Sequence, residues 1–277
     1  MKLLTLNTHS LEEQEMELKQ KQFAEAVCRL RPDIIALQEV NQRQDAMPVS
    51  DLPESYHPES GDVIIKADNH ALAISRLLDQ MAPGYTWTWL PIKVGYDKYD
   101  EGMAFFSKKP IQSTENILVS ETDDFDDYHT RRILGIQTEE GNFYSIHLSW
   151  WQDADEPFAA QWKKLKQEIA DPDGLRVLMG DFNSDAAVRG EGYDLVKNSG
   201  FFDTYALATD RDEGVTVPGA IDGWRDQDNV SDMRIDQIWI SSPCQVRKSR
   251  VVFNGQKEPV ISDHFGVLVE MDDPAGE

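Results

Sequence analysis

Hydrophobic and polar positions along this chain follow two periods in turn. Residues 2–6 form a short apolar run of strand character that stops at the polar Asn7. Residues 12–30 then carry apolar side chains at Phe23, Ala26, Val27 and Leu30, the i, i+3, i+4, i+7 spacing of one helix face. Pro32 ends that helix, because its ring cannot donate a backbone hydrogen bond. The brief apolar run 33–37 closes on Gln38-Glu39 and predicts a buried strand delivering a carboxylate at its C-terminal end. Residues 41–61, with Pro48, Pro53 and Pro58, predict a loop, and helical spacing returns over 68–81 through Leu72, Ile74, Leu77 and Leu78. Tyr85, Trp87 and Trp89 alternate with Thr86 and Thr88, the period of two that marks a strand with one aromatic face. Further strands are expected at 102–107, 111–119, 131–138 and 142–148, a helix at 156–170, and strands at 175–179, 234–240 and 265–270. Strands separated by helices in both halves predict two packed sheets with helices outside, an α/β sandwich. No composition shift divides the 277 residues, so one domain is expected.

Six places far apart in the chain share one feature: an apolar strand beside, or carrying, an Asn, Asp, Glu or His. They are Asn7, Gln38-Glu39, His147, Asp181 with Asn183, Asp236 within RIDQIW, and Asp263-His264. Any one alone is more often a turn residue or a satisfied buried polar group; the repetition points to a site assembled from strand ends. Charge narrows what that site can serve. With 27 basic against 50 acidic residues, the net charge of -23 repels polyanions except where a metal or a local basic cluster reverses the field. Long nucleic acid is therefore a disfavoured partner, because the Lys/Arg footprint that supplies backbone affinity is missing. Cys28 and Cys244 are too few for a disulfide framework and are expected as free thiols. The opening MKLLTLNTHS is too short in apolar residues for a signal peptide, and no stretch reaches the roughly 18 apolar residues of a membrane span. A cytoplasmic protein acting away from membranes is the expectation.

The segments LNTH, ALQEV, EGMAFFSK, YSIHLSWW, MGDFNSD, RIDQIW and ISDHFGV, in this order from residue 6 to residue 267, resemble the endonuclease/exonuclease/phosphatase superfamily. The resemblance implies a four-layer α/β/β/α sandwich of two mixed β-sheets flanked by helices. It also implies a phosphoesterase that uses Mg²⁺ or Mn²⁺ and an activated water, with no covalent intermediate. Such metals, held by carboxylate, carbonyl and water oxygens, neutralise phosphate oxygens and the leaving alkoxide. Carried over to this chain, Glu39 is the best metal ligand, with Asn7 and Asp263 in or just outside the metal shell. Asp181 orients or deprotonates the water, and Asn183 donates to a non-bridging oxygen. His147 and His264 contact the phosphate, and Asp236 sets the tautomer of His264. Asp181 and the Asp236-His264 pair both stand as the general base. Arg131 is a candidate phosphate clamp, since guanidinium grips oxyanions bidentately, with Arg132 competing and a surface salt bridge as the alternative use. Tyr96 and His129 are the options for the tyrosine or second histidine that nucleases often place in the middle strands.

Trp150 and Trp151 follow His147 closely and suit stacking on a sugar ring or a base, or packing in the core. No exposed apolar hairpin or basic surface suggests membrane action. The whole chain, with LNTHS, HLSWW and an acidic loop at 121–127, is similar to a bacterial cytoplasmic branch that includes maltose 6'-phosphate phosphatase. The resulting expectation is a phosphatase of a small sugar phosphate. The alternatives are a phosphodiesterase or nuclease of the same chemistry, and a catalytically silent binding protein with this fold.

Overall fold

In the computed structural model, which describes residues 1–59, 61, 63–170, 174–219 and 231–272, the chain weaves between two sheets. The first half supplies β1 (Lys2–Asn7), a 3-10 turn (Ser10–Glu12), α1 (Met16–Leu30), β2 (Ile34–Arg43), α2 (His70–Met81), β3 (Thr86–Gly95), β4 (Tyr99–Ser107) and β5 (Ser113–Leu118). The second supplies β6 (Arg132–Thr138), β7 (Gly141–His147), α3 (Phe158–Glu168), β8 (Arg176–Asp181), α4 (Gly192–Asn198) and β9 (Phe202–Asp203). It continues through α5 (Thr204–Leu207), β10 (Asp210–Arg211), β11 (Asp236–Ile240), β12 (Val246–Val252) and β13 (Gly266–Met271). One sheet has the order β10-β12-β13-β1-β2-β4-β3 and the other β5-β6-β7-β8-β11-β9. The first contains two parallel pairs, β1 with β2 and β10 with β12, and the second one, β7 with β8, so both are mixed.

Side-chain alternation along each strand builds four layers. In β1, Leu3 faces the space between the sheets while Leu4 and Leu6 face the helices. The inter-sheet layer is filled by Ile34, Phe105, Leu134, Phe143, Val177 and Ile238, all almost fully buried. Phe23 and Val27 of α1 and Leu72 and Leu78 of α2 cover the outer face of the first sheet, against Trp87, Trp89 and Phe106. Phe158, Trp162 and Leu165 of α3 and Val196 of α4 cover the second, against Tyr144, Leu178 and Trp239. The expected sandwich of two mixed sheets flanked by helices is the architecture found. The aromatic face expected from Trp87 and Trp89 lies in the core under the helices.

Several boundaries differ from the sequence reading for local reasons. The first helix starts at Met16 rather than residue 12, because Glu15 precedes it in a left-handed conformation (φ 54°) after the 3-10 turn. The second strand does not end at Glu39. It runs to Arg43 through an irregularity between Leu37 and Val40, where Glu39 takes φ 51°. This bulge keeps Leu37 and Val40 in the same helix-facing layer and swings Glu39 toward the inter-sheet end. The strand β12 and the helix α4 were not expected. In β12 the sequence VRKSRVV has charges at both faces of the alternation, which hides the period of two.

Candidate active site

Adjacent strand ends bring the polar constellation together. Asn7 ends β1, His147 ends β7 and Asp181 ends β8, with His147 in parallel register with Asp181. Asp236 begins β11 directly opposite Asp181 in the antiparallel pair, and Asp263-His264 immediately precedes β13. These ends open on a cleft of about 450 Å³ whose walls include Glu39, His147, Asp181, Asn183, Asp263 and His264. The close approach of the inner strands depends on Gly180, at φ 148°, where a Cβ would lie 2.1 Å from the Ile146 carbonyl oxygen.

Asn7 bridges the two sheets: its Nδ2 donates to Glu39 Oε1 at 2.9 Å and to Asp181 Oδ2 at 3.2 Å. The other oxygen of Asp181 accepts from the Asn183 backbone N–H at 2.8 Å. Asn183 donates its side-chain N–H to the Leu148 carbonyl and accepts from Trp150 Nε1 at 2.9 Å. His264 Nδ1 lies 2.9 Å from Asp236 Oδ2, and its Nε2 lies 3.9 Å from Asp181 Oδ2. His147 Nε2 is 3.9 Å from both Glu39 Oε1 and Asp181 Oδ2. Thr216 Oγ1 accepts from the backbone N–H of Ile235 and Asp236, fixing the start of β11. Residues 220–230, between Thr216 and β11, lie outside the described residues.

Burial and neighbouring charge divide the ionisable groups into distinct roles. Burial works against charge on His264, but the Asp236, Asp181 and Asp263 carboxylates outweigh it and push its pKa up to about 10. His147 goes the other way: burial, then Arg131, Lys93 and His264, hold it neutral, well below the ordinary histidine value. Burial pushes Asp181 up to about 6, with His264 opposing and Asp236 assisting. Burial, then Glu101, push Glu39 up to about 7, with Asp263 adding to the rise and the Asn7 amide opposing it.

Among the remaining expected residues, Arg131 lines the cleft, with its Nη1 donating to the Tyr128 and Thr130 carbonyls. Arg132 instead reaches Asn116 and Asp123 outside the cleft, so of the two arginines it is Arg131 that faces the site. Trp150 lines the cleft, whereas Trp151 packs against Phe158 on the helix side of the second sheet. Tyr96 lines the cleft; His129 is turned aside, its Nδ1 2.8 Å from Asp127 Oδ1. Sequence reasoning passed over His9, Lys93, Glu101 and Tyr128, which also face the cleft. Glu101 lies within the quoted EGMAFFSK segment, a signal that could have raised it; Lys93 sits in a strand with no motif around it. His9 sits 2.8 Å from Glu13 and 3.1 Å from the Tyr96 hydroxyl. Burial opposes its charge, but Glu13, Asp263 and Glu39 push it up to about 9.

The donor set suits a hard divalent cation. Glu39, Asp263 and Asn7 offer carboxylate and amide oxygens, the hard donors that such a cation takes, and burial first, then the Glu101 carboxylate, raise the pKa of Glu39. Buried carboxylates of Asp181 and Asp236 and the buried imidazoles of His147 and His264 meet where strands of the two sheets end. The chain belongs to the Endonuclease/Exonuclease/phosphatase family, whose sequence model matches residues 4–264, and members of that family are metal-dependent phosphoester hydrolases. No curated protein matches the chain. Among solved structures, an endonuclease/exonuclease/phosphatase family protein from Leptotrichia buccalis is 29% identical, with a TM-score of 0.85, 98% of this chain and 99% of that one being covered. A mannosyl-6-phosphatase from Bacteroides thetaiotaomicron is 19% identical, with a TM-score of 0.65 over 98% and 99% of the two chains. A 3' phosphatase from Neisseria bound to a product DNA hairpin is 22% identical, with a TM-score of 0.62 over 98% and 99%. The last two likenesses show the fold. Among the described residues no helix is long and apolar enough to cross a membrane.

Proposed function

We propose that this protein is a divalent-metal-dependent phosphomonoesterase acting on a small sugar phosphate, with maltose 6'-phosphate as the specific candidate. The observation that carries this reading is the cleft itself. About 450 Å³ accommodates one phosphate and a ring, and its walls present Tyr96, Tyr128 and Trp150, all exposed, as ring-sized surfaces. Among the described lining residues Lys93 and Arg131 are the only Lys or Arg, enough for one phosphate but not a track for a nucleic-acid backbone. The net charge of -23 supports the same substrate size. A bacterial mannosyl-6-phosphatase of this fold supports a sugar phosphate in particular.

A bound Mg²⁺ or Mn²⁺ would be held by Glu39, Asp263 and Asn7 and would neutralise phosphate oxygens and the leaving alkoxide. The chain's own residues supply the rest. Asp181, ionised at neutral pH yet close to its pKa, takes the proton of the attacking water. His264, held cationic by Asp236, presents its Nε2 N–H to a phosphate oxygen, and neutral His147 donates a second hydrogen bond. Asn183 is clamped by Leu148 and Trp150, which preorganises its amide. Retention of all of these argues against a silent binding protein.

The second reading is a phosphodiesterase or nuclease, which a 3'-5' exonuclease of this fold from Neisseria meningitidis favours. Phosphate release from maltose 6'-phosphate, mannose 6-phosphate and a 3'-phosphorylated DNA hairpin, with Mg²⁺ or EDTA, separates the two when run beside plasmid nicking. Metal-dependent release from the sugar phosphates with DNA left intact is expected. Metal-dependent nicking without monoester turnover would overturn the phosphatase reading.

A further inference from the structure

On the wall of the cleft where Glu101 lies, two cations, the buried Lys93 and the half-buried Arg131, end on one backbone oxygen. Lys93 Nζ donates to the Tyr128 carbonyl at 3.0 Å, and Arg131 Nη1 donates to the same oxygen at 2.7 Å. Lys93 has one carboxylate partner, Glu101 Oε1 at 3.4 Å, and Arg131 Nε is buried with no hydrogen-bond partner. Both side chains line the cleft together with Glu39, Asp181 and His264. A buried ammonium or guanidinium is costly unless its donors are satisfied, and here two carbonyls, those of Tyr128 and Thr130, and one carboxylate serve two cations with eight N–H groups between them. Donors on both side chains are left over on a wall that the cleft shares with Glu39, Asp181 and His264. Glu101 is itself held in place: a Cβ on Gly95 would come within 2.5 Å of its carboxylate, so the chain closes on it.

We infer that Lys93 and Arg131, supported on the Tyr128 carbonyl and with Glu101 positioning Lys93, form a two-cation seat for the dianionic phosphate of a monoester. A monoester carries three terminal oxygens and, at neutral pH, close to two charges; a diester carries two non-bridging oxygens and one charge. A seat with a second cation beside the first rewards the extra oxygen and charge, so it sets the preference for monoester over diester. Lys93 is thus a specificity-determining residue and Glu101 a positioning residue. The inference deepens the phosphomonoesterase reading and rests on it for its role in catalysis, but the binding preference can be measured without turnover.

The test titrates the purified full chain, with Mg²⁺ present, with inorganic phosphate and with dimethyl phosphate by calorimetry. The wild type is expected to prefer phosphate. Lys93→Met should weaken phosphate by about 10- to 100-fold, the scale of a lost charge-assisted hydrogen bond, and dimethyl phosphate by less than about threefold. Lys93→Arg should restore most of the preference. Because Lys93→Met leaves Glu101 buried without its cation, K93M/E101Q is measured alongside and should show the same loss of preference with a circular dichroism spectrum matching the wild type. Equal loss for both ligands, or no preference in the wild type, would overturn the seat. A wild type that prefers phosphate yet hydrolyses no monoester would leave the seat standing and sink the phosphatase reading instead.

Discussion

At the residue scale the site works by holding like charges apart with a histidine. Asp181 and Asp236 face each other across β8 and β11, a pairing that costs stability unless a cation intervenes, and His264 lies between them. Asp181 is the group whose pKa sits nearest to its task, and Asp181→Asn should lower kcat by about 10²- to 10⁴-fold, the usual worth of a general base, with little change in the folded state. Single-turnover phosphate release together with circular dichroism checks it; retention of more than a tenth of the wild-type rate would assign the base elsewhere. A second residue-scale prediction concerns His70, far from the cleft. It is buried at the start of α2, its Nδ1 3.1 Å from Gln20 Nε2, and burial drives its pKa from 6.5 down to about 4. Below pH 6.5 the unfolded chain takes up a proton that folded His70 refuses until about pH 4, so stability falls as pH drops through that window. The loss approaches roughly 3 kcal/mol at its lower end. Denaturant titrations at a series of pH values should show this slope in the wild type and a shallower one in His70→Gln.

At the element scale, strand ends and irregularities aim the chemistry. The bulge at Glu39 is the clearest case: regular alternation from Leu37 would send residue 39 toward the helices, and φ 51° at Glu39 sends its carboxylate to Asn7 instead. The pairing of β3 with β4 needs equal care, because at Gly102 an added Cβ would meet the Leu90 carbonyl oxygen at 2.2 Å and the indole nitrogen of Trp89 at 2.8 Å. Gly102→Ala should therefore destabilise by about 1–3 kcal/mol or more, since the obstructing atoms include fixed backbone. Equilibrium urea unfolding measures this, and a loss under about 0.5 kcal/mol would mean that β3 and β4 yield more readily than their pairing indicates. Element existence was largely legible from periodicity in residues such as Leu72, Ile74 and Leu78 of α2. The strand β12 was not, because Arg247, Lys248 and Arg250 interrupt its alternation next to the two-residue strand β10 near the sheet edge, where charge discourages further pairing.

At the scale of the whole molecule, a net charge of -23 includes four carboxylates, Glu39, Glu101, Asp181 and Asp263, gathered around one cleft. A divalent cation bound there stabilises the folded chain by mass action, by about 2.7 kcal/mol at a concentration one hundred times its Kd. Thermal unfolding should accordingly move to higher temperature with added Mg²⁺ and return with EDTA, and Glu39→Gln should remove most of that response. An unchanged midpoint in the wild type across a wide Mg²⁺ range would place the metal elsewhere.

The sequence by itself determined the layers and marked the polar strand ends that the structure gathers. Periods of two and 3.6 are written by burial on one face of an element, and the polar strand ends of Asn7, Glu39, His147, Asp181, Asp236 and His264 stood out because each interrupts an apolar run. Tertiary structure alone decided how those ends meet and what completes them. The assignment of Arg131 rather than Arg132 to the cleft, the turn of Trp151 into the core beside Trp150 at the mouth, and the approach of Lys93 to Glu101 and the Tyr128 carbonyl all depend on which side of a strand meets which loop. Such contacts join residues tens of positions apart through sheet pairing and a bulge, and local patterning carries no record of a partner that distant.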